Sequence, residues 1–385
     1  MRATQCCRRT TVGNSVNGRV LAAVQVAPET TELRDFPLPE ITEDAALLKV
    51  EAAGVCGSDV GAYKRLPSGP RILGHENVGF LSQVGAAFAR RWGVKEGDRV
   101  AIEEYLPCGH CELCLRGEFR HCLATDVHSN PDALRYGSTP VTQPPALWGG
   151  YSQYLYLPPT TVLHRMPTHV PAEQAALALP LGNGVQWALT EAHAGPGGSL
   201  VVLGPGQQGL GCVLAAKWAG ADRIILVGLQ RDSRRLSVGR EFGADEIIVA
   251  DQQDVLERVR ELTYGKGVDA VIDTTSASAS EMVPLGIELL KRKEGRMVVQ
   301  SIGGTIKDFP IERFARKYVT LKAARGHSYA AVEMAIRRIA SGKDRLDLMC
   351  THHFGLDGVD RAIRSVGGTG EPDAIHVTVA PSGVN

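Results

Sequence analysis

The 385-residue chain carries 42 Lys plus Arg against 42 Asp plus Glu, with 44% hydrophobic and 22% charged residues. That composition fits a soluble globular protein of two domains, too long for one ordinary core. Zero formal charge argues against a nucleic-acid footprint, and no apolar run reaches the roughly 18 residues a membrane span needs.

Residues 1–18 are basic and lack the apolar stretch of a secretory signal. Their arginines with Thr and Ser allow a transit-peptide reading, but no amphipathic period supports it, and a disordered extension is expected. Residues 20–39 alternate short apolar runs with Pro and charge, and 46–55, 72–80, 97–101 and 150–157 carry further strand-and-turn patterns. Residues 19–170 therefore read as a mostly β domain, with proline-rich loops at 139–145 and 158–159. Near Pro171 the character changes to helical apolar spacing, which Pro180 should kink or divide.

Strand-like runs at 200–203, 223–228, 246–250, 268–273, 296–302 and 319–324 then alternate with helical patterns at 210–219, 231–242, 255–263 and 281–293. Such alternation implies a doubly wound parallel sheet over residues 171–324. A helix at 329–341, a strand near 349–354, a helix at 356–366 and a strand at 375–379 follow. This tail, 325–385, is expected to return to the first domain. No period of roughly 20–50 residues repeats, so a solenoid is not expected.

The second half is organised around Ser199–Gly211, SLVVLGPGQQGLG. An apolar strand runs into Gly204-Pro-Gly206-Gln-Gln-Gly209 and a helix follows, which is the context a dinucleotide turn requires; a plain strand–helix turn is the competing reading. Gly204 would permit the turn, Gly206 would let a pyrophosphate approach, and Gly209 would bring the helix close to the strand, with phosphate on the helix N-terminus. The cofactor-binding candidates are Gly204, Gly206, Gln207, Gln208, Gly209 and Leu210. An acid binding the adenosine ribose should end the next strand, but that place is Gly228, with Arg231, Arg234 and Arg235 beyond it. The absent acid and the nearby arginines favour NADP over NAD, unless those arginines are only a solvated helix start.

The nine cysteines are unevenly spread. Cys108, Cys111, Cys114 and Cys122 form C-x2-C-x2-C-x7-C, four thiolates able to close a tetrahedral Zn2+ site with no open position. An iron–sulfur cluster competes, although the fourth ligand comes late and no proline follows it. Clustered cysteines in a long chain point to a reducing compartment, and the cytoplasm is the expected location. A second set is dispersed: Cys56 in Gly54-Val-Cys56-Gly-Ser58-Asp59, and His75 and Glu76 after Gly74. Thiolate, imidazole and carboxylate together suit a catalytic zinc with an open position for substrate.

These features, GVCGSD, GHE, the four-cysteine lobe at 103–125 and GPGQQGLG, occur in the order found in the zinc-containing medium-chain alcohol dehydrogenases, the sorbitol and threonine dehydrogenases included, which the chain resembles from Gly18 to about Ala380. The resemblance implies a GroES-like, mostly β catalytic domain interrupted by a Rossmann domain, with the active site in the cleft between them. It also implies a homo-oligomer, dimer or tetramer. By the same resemblance Cys56 and His75 match the catalytic zinc ligands. Glu76 matches an acid behind or exchanging onto the metal, Ser58 the hydroxyl that takes the alcohol proton, and Asp59 an acid close to the zinc ligands.

Two positions depart from the family. Leu179 stands where a further Cys or Glu ligand precedes Pro-Leu, with Asn183 nearby, and Gly61 replaces a relay histidine. The expected activity is interconversion of a small-molecule alcohol and a carbonyl by hydride transfer with NAD(P). A zinc-free or zinc-weak reductase acting on enones or quinones, and a relative that binds NADP without turnover, are the alternatives that Leu179 and Gly61 leave open.

Overall fold

The computed structural model describes residues 18–126, 130, 132–276, 279–300 and 305–383. The basic extension lies outside the described residues apart from Gly18, as does the end of the 296–302 strand. Near-continuous apolar runs such as SLVVL, RIILVG and AVID cannot leave either face in water, so they pair as a parallel sheet covered on both sides. Six strands lie in the order Glu246–Val249, Arg223–Gly228, Ser199–Leu203, Ala270–Asp273, Arg296–Val299, Thr320–Ala323, every pairing parallel. This is the doubly wound Rossmann order, and it reverses direction between Ser199–Leu203 and Ala270–Asp273. Beyond the ends of those two strands opens the crevice in which such sheets bind ligands.

The first half forms the GroES-like sheet. Its order is Cys350–Phe354, His376–Val379, Ala46–Gly54, Glu76–Val84, Arg99–Ile102, Leu163–Arg165, with Tyr154–Leu157 also paired to Ala46–Gly54. Two of its strands thus come from the C-terminal tail, with Thr378 opposite Gly54. A smaller sheet joins Thr30–Pro37, Arg19–Ala27 and Arg71–Ile72.

Several elements differ in extent from the sequence pattern. Residues 171–191 form a helix Ala172–Ala175, a break at Ala176 and Leu177, a helix Ala178–Val185 and a π-turn Gln186–Glu191. Pro180 falls in the first turn of the second helix, where its missing N–H leaves no bond unmade, so the chain divides before it rather than kinking at it. The 281–293 pattern yields the helix Ala279–Leu289, after which Leu290 bridges Val268. The seven-residue helices Ala86–Trp92 and Ile311–Lys317 are too short for an apolar period to register.

Candidate active site and metal centres

Hydrogen-bonded pairing of Gly54 with Glu76 brings the end of one GroES-like strand beside the start of the next. Cys56 follows the first strand as the N-cap of the helix Gly57–Tyr63, and His75 precedes the second. The ligating atoms of Cys56, His75 and Glu76 all lie within 4.8 Å of one another. Asp59 organises the group. Its Oδ2 accepts from the Cys56 N–H at 2.9 Å and from the Tyr151 hydroxyl at 3.3 Å, and its Oδ1 lies 3.3 Å from His75 Nδ1. A proton held on Nδ1 by this carboxylate leaves the Nε2 lone pair free for a metal. Ser58, exposed, places its Oγ 3.4 Å from that Nε2.

Burial, then the charge of Glu76, raises the Cys56 thiol, and burial pushes Glu76 up to about 7. Burial works against a charged His75, but Glu104 and then Asp59 overcome it and raise its pKa well above the usual imidazole value. A metal held by Cys56 would therefore displace its thiol proton. Leu179 is buried in the helix Ala178–Val185, and no group from that helix joins the cluster. The Asn183 amide oxygen is bonded instead to His327 Nδ1 at 2.9 Å.

Two polar arrangements beside the cluster carried no signal in the sequence. Glu104 pairs with Arg135 at 2.5 Å, each side chain 16% exposed, and Arg135 lies over the Tyr105 ring. Behind it Glu103, fully buried, binds His164 Nε2 at 3.0 Å and His327 Nε2 at 2.9 Å, while His164 Nδ1 reaches Glu333 at 2.7 Å. These groups are scattered along the chain in ordinary contexts, and only the fold collects them.

Cys108, Cys111, Cys114 and Cys122 form a second cluster with sulfurs within 4.8 Å of one another and no disulfide. The Cys111–Cys114 and Cys108–Cys114 separations, 3.4 and 3.9 Å, bracket the roughly 3.8 Å that four Zn–S bonds of about 2.3 Å impose. All four ligands come from one loop, and Cys111 and Cys108 backbone N–H groups already point at the sulfurs of Cys108 and Cys122. Four thiolates in one cluster, and a thiolate with an imidazole and a carboxylate in the other, are donor sets that fit Zn2+.

The glycine turn follows Ser199–Leu203. Gly204 sits at φ +96°, a region L-residues avoid, and a Cβ on Gly209 would strike the Gly204 carbonyl and lie 2.8 Å from Thr274 Oγ1. Beyond Gly206 is open space. Gln207 reaches from this turn to Glu76, its Nε2 3.2 and 3.3 Å from the two carboxylate oxygens, while Leu210 is buried beneath the turn and Gln208 is half-buried. At Gly228 a Cβ would lie 2.8 Å from Pro205 Cγ and 2.9 Å from Leu236 Cδ2, so an acid there would have to displace the turn itself. Arg231 is exposed in the turn Gln230–Asp232 just beyond, whereas Arg235 is engaged by the Ala374 carbonyl. No helix among the described residues is long and apolar enough to cross a membrane.

Residues 42–168 match the family described as alcohol dehydrogenase GroES-like domain, and residues 209–341 that described as zinc-binding dehydrogenase. The chain is 34% identical over 370 residues to a probable alcohol dehydrogenase of Mycobacterium tuberculosis, covering 94% of this chain and 98% of that protein. It is 30% identical to an erythritol/L-threitol dehydrogenase of Mycolicibacterium smegmatis, covering 96% and 100%. A solved Escherichia coli oxidoreductase of unknown specificity superposes with a TM-score of 0.82 at 27% identity, covering 95% and 100%. With both halves matched and the relatives aligned nearly end to end, the chain belongs to the zinc-containing medium-chain alcohol dehydrogenase family, as an oxidoreductase that interconverts alcohols and carbonyls using zinc and a nicotinamide cofactor.

Proposed function

We propose that Cys56, His75 and Glu76 hold the catalytic zinc, that Cys108, Cys111, Cys114 and Cys122 hold a structural one, and that the turn at Gly204–Gly209 binds NADP in preference to NAD. The observation that carries this reading is the convergence of three dissimilar ligating atoms within 4.8 Å, bonded through Glu76 to the glycine turn. When bound, zinc supplies Lewis acidity and the nicotinamide a hydride acceptor. The protein's own groups do the rest. Asp59 fixes the His75 tautomer, and the exposed Ser58 hydroxyl passes the alcohol proton outward to water, since Gly61 offers no imidazole to receive it. The Glu104–Arg135 pair gives the surroundings of His75 a charged, hydrogen-bonding character. That suits a polyhydroxylated substrate better than an apolar alcohol, in keeping with relatives named for erythritol, threitol and xylulose.

NADP preference rests on the crowding at Gly228 together with the exposed Arg231. Arg231→Ala should weaken NADP by about tenfold and leave NAD nearly unchanged, as expected for one lost charged hydrogen bond. Steady-state kinetics with both cofactors on a panel of alcohols and polyols, alongside zinc content per chain, test the whole reading. Turnover without bound zinc, or a wild type that strongly prefers NAD, contradicts it. A reducing compartment fits the free cysteines, and the exposed edge strand Thr320–Ala323 fits pairing with a second copy of the chain.

A further inference from the structure

Gln207 ties the nucleotide turn to the acid of the metal cluster. It is the first residue of the helix Gln207–Trp218, so its backbone N–H belongs to the turn that has no intrahelical acceptor and is available to an anion. Its side chain serves a different partner. Nε2 donates to both Glu76 oxygens at 3.2 and 3.3 Å, and Oε1 meets His376 Nδ1 at 2.7 Å.

The orientation of this amide follows from its neighbours. Turned the other way, it would set a carbonyl oxygen against the Glu76 carboxylate, so the NH2 faces Glu76 and His376 Nδ1 donates to the carbonyl. His376 is fully buried and its Nε2 has no partner among the described residues. There is no slack behind the pair: a Cβ on Gly54 would strike Glu76 Oε2 and lie 3.0 Å from His376 Cε1. Beside its contact with the Cys56 thiol, Glu76 is held by this amide, which is mounted on the first residue of the helix that follows the glycine turn.

We propose that Gln207 is a positioning residue that couples nucleotide binding to the metal-facing acid. A nucleotide on the turn holds Gln207 in place, which keeps Glu76 as its hydrogen-bond acceptor and withholds the carboxylate from the metal. The position left open is then available to the substrate oxygen. With the turn empty, Gln207 is freer to move and Glu76 can turn onto the metal. The inference rests on the zinc and NADP reading above. Because coupling between two sites is reciprocal, zinc should weaken nucleotide binding by the same factor by which nucleotide loosens zinc.

The test is zinc release from the full-length, zinc-loaded protein to a chromogenic chelator, with and without saturating NADPH. In the wild type, NADPH should speed release of the Cys56-dependent zinc by about tenfold, the scale on which groups around a ligand alter metal affinity. Gln207→Met, equal in length but without the amide, should bind NADPH yet show no acceleration. Its NADPH dissociation constant should also stop depending on zinc. If that variant fails to fold, His376→Phe, which frees the Gln207 amide to turn, should show the same loss. Equal acceleration in variant and wild type, or release that NADPH leaves unchanged or slows in the wild type, overturns the proposal. A Cys56→Ser protein carrying as much zinc as the wild type overturns the metal reading itself, and this coupling with it.

Discussion

The two ligand clusters are built by opposite means. Cys108, Cys111, Cys114 and Cys122 come from one short loop, are chemically identical, and leave a metal no free position. Cys56, His75 and Glu76 come from the ends of two paired strands, differ in every ligand, and depend on Asp59, Gln207 and Tyr151 for their orientation. A local, uniform, closed set suits a staple, whereas a dispersed, mixed, supported set suits a site that must exchange partners. On the proposed assignment, the difference lies in the support as well as in the ligands: neighbouring side chains orient the open set, whereas one loop holds the closed set.

The sharpest way to break this contrast is Cys56→Ala. It should lower kcat/KM by about 10³-fold or more, equal to several kcal/mol of transition-state stabilisation, with a nearly unchanged melting temperature. A variant that keeps full activity would end the zinc mechanism and restore the enone or quinone reductase reading.

Cys111→Ser should do the reverse. Thermal unfolding is expected to shift down by roughly 5–10 °C, about 2–4 kcal/mol, with half the zinc lost and near-normal substrate KM in the folded fraction. Full stability with unchanged zinc would remove the staple role.

The Glu103 network is read by pH. Glu103 is fully buried, and although burial opposes ionisation, His327 and His164 hold it at about 2. Its folded value lies below its unfolded one, so its contribution is complete above about 4.5 and disappears as pH falls through about 2. Burial works against a charged His164, but Glu103 and Glu333 raise its pKa, so its contribution is complete below about 6.5 and is lost as pH rises through the folded value. Glu103→Gln should therefore cost the most, about 2–3 kcal/mol, between roughly pH 4.5 and 6.5, and progressively less on either side. Denaturant unfolding across pH measures this, and a cost independent of pH would exclude a charged network.

The smallest effect should come from moving the open cluster toward the closed one. Leu179→Glu should slow zinc loss by about tenfold in metal-replete protein. In zinc-free protein it should destabilise, because a carboxylate would then be buried without a partner. Chelator kinetics paired with melting curves distinguish the two, and unchanged zinc loss would place Leu179 out of reach of the metal.

How much of this was legible in the sequence follows the range of each signal. The parallel sheet could be read because each strand is a contiguous apolar run and each helix repeats its own spacing, as in Leu200–Leu203 followed by Leu210, Val213 and Leu214. The four cysteines were legible because all four lie in one loop. Cys56, His75 and Glu76 are weak apart, and only family order linked them. Glu103, Glu104, Arg135 and His376 were invisible, since each gains its meaning from a partner dozens or hundreds of residues away. Gly228 carried its meaning only in part: the missing acid was plain, but the contact with Pro205 that keeps acids out was not.

The strand His376–Val379 lies in the GroES-like sheet beside Ala46–Gly54, with Thr378 facing Gly54. A chain emerging from the ribosome N-terminus first cannot make that pairing until residues 376–379 appear. At about 5–20 residues per second, the strand holding Gly54 waits on the order of 20–60 s for its neighbour. The Rossmann sheet, whose strands all fall within a continuous middle segment, has no such wait. His376 therefore reaches Gln207 late, and the wall behind Glu76 is finished only after residue 376 has been made. Residues 376–379, rather than the strand they join, set when this wall of the site is assembled.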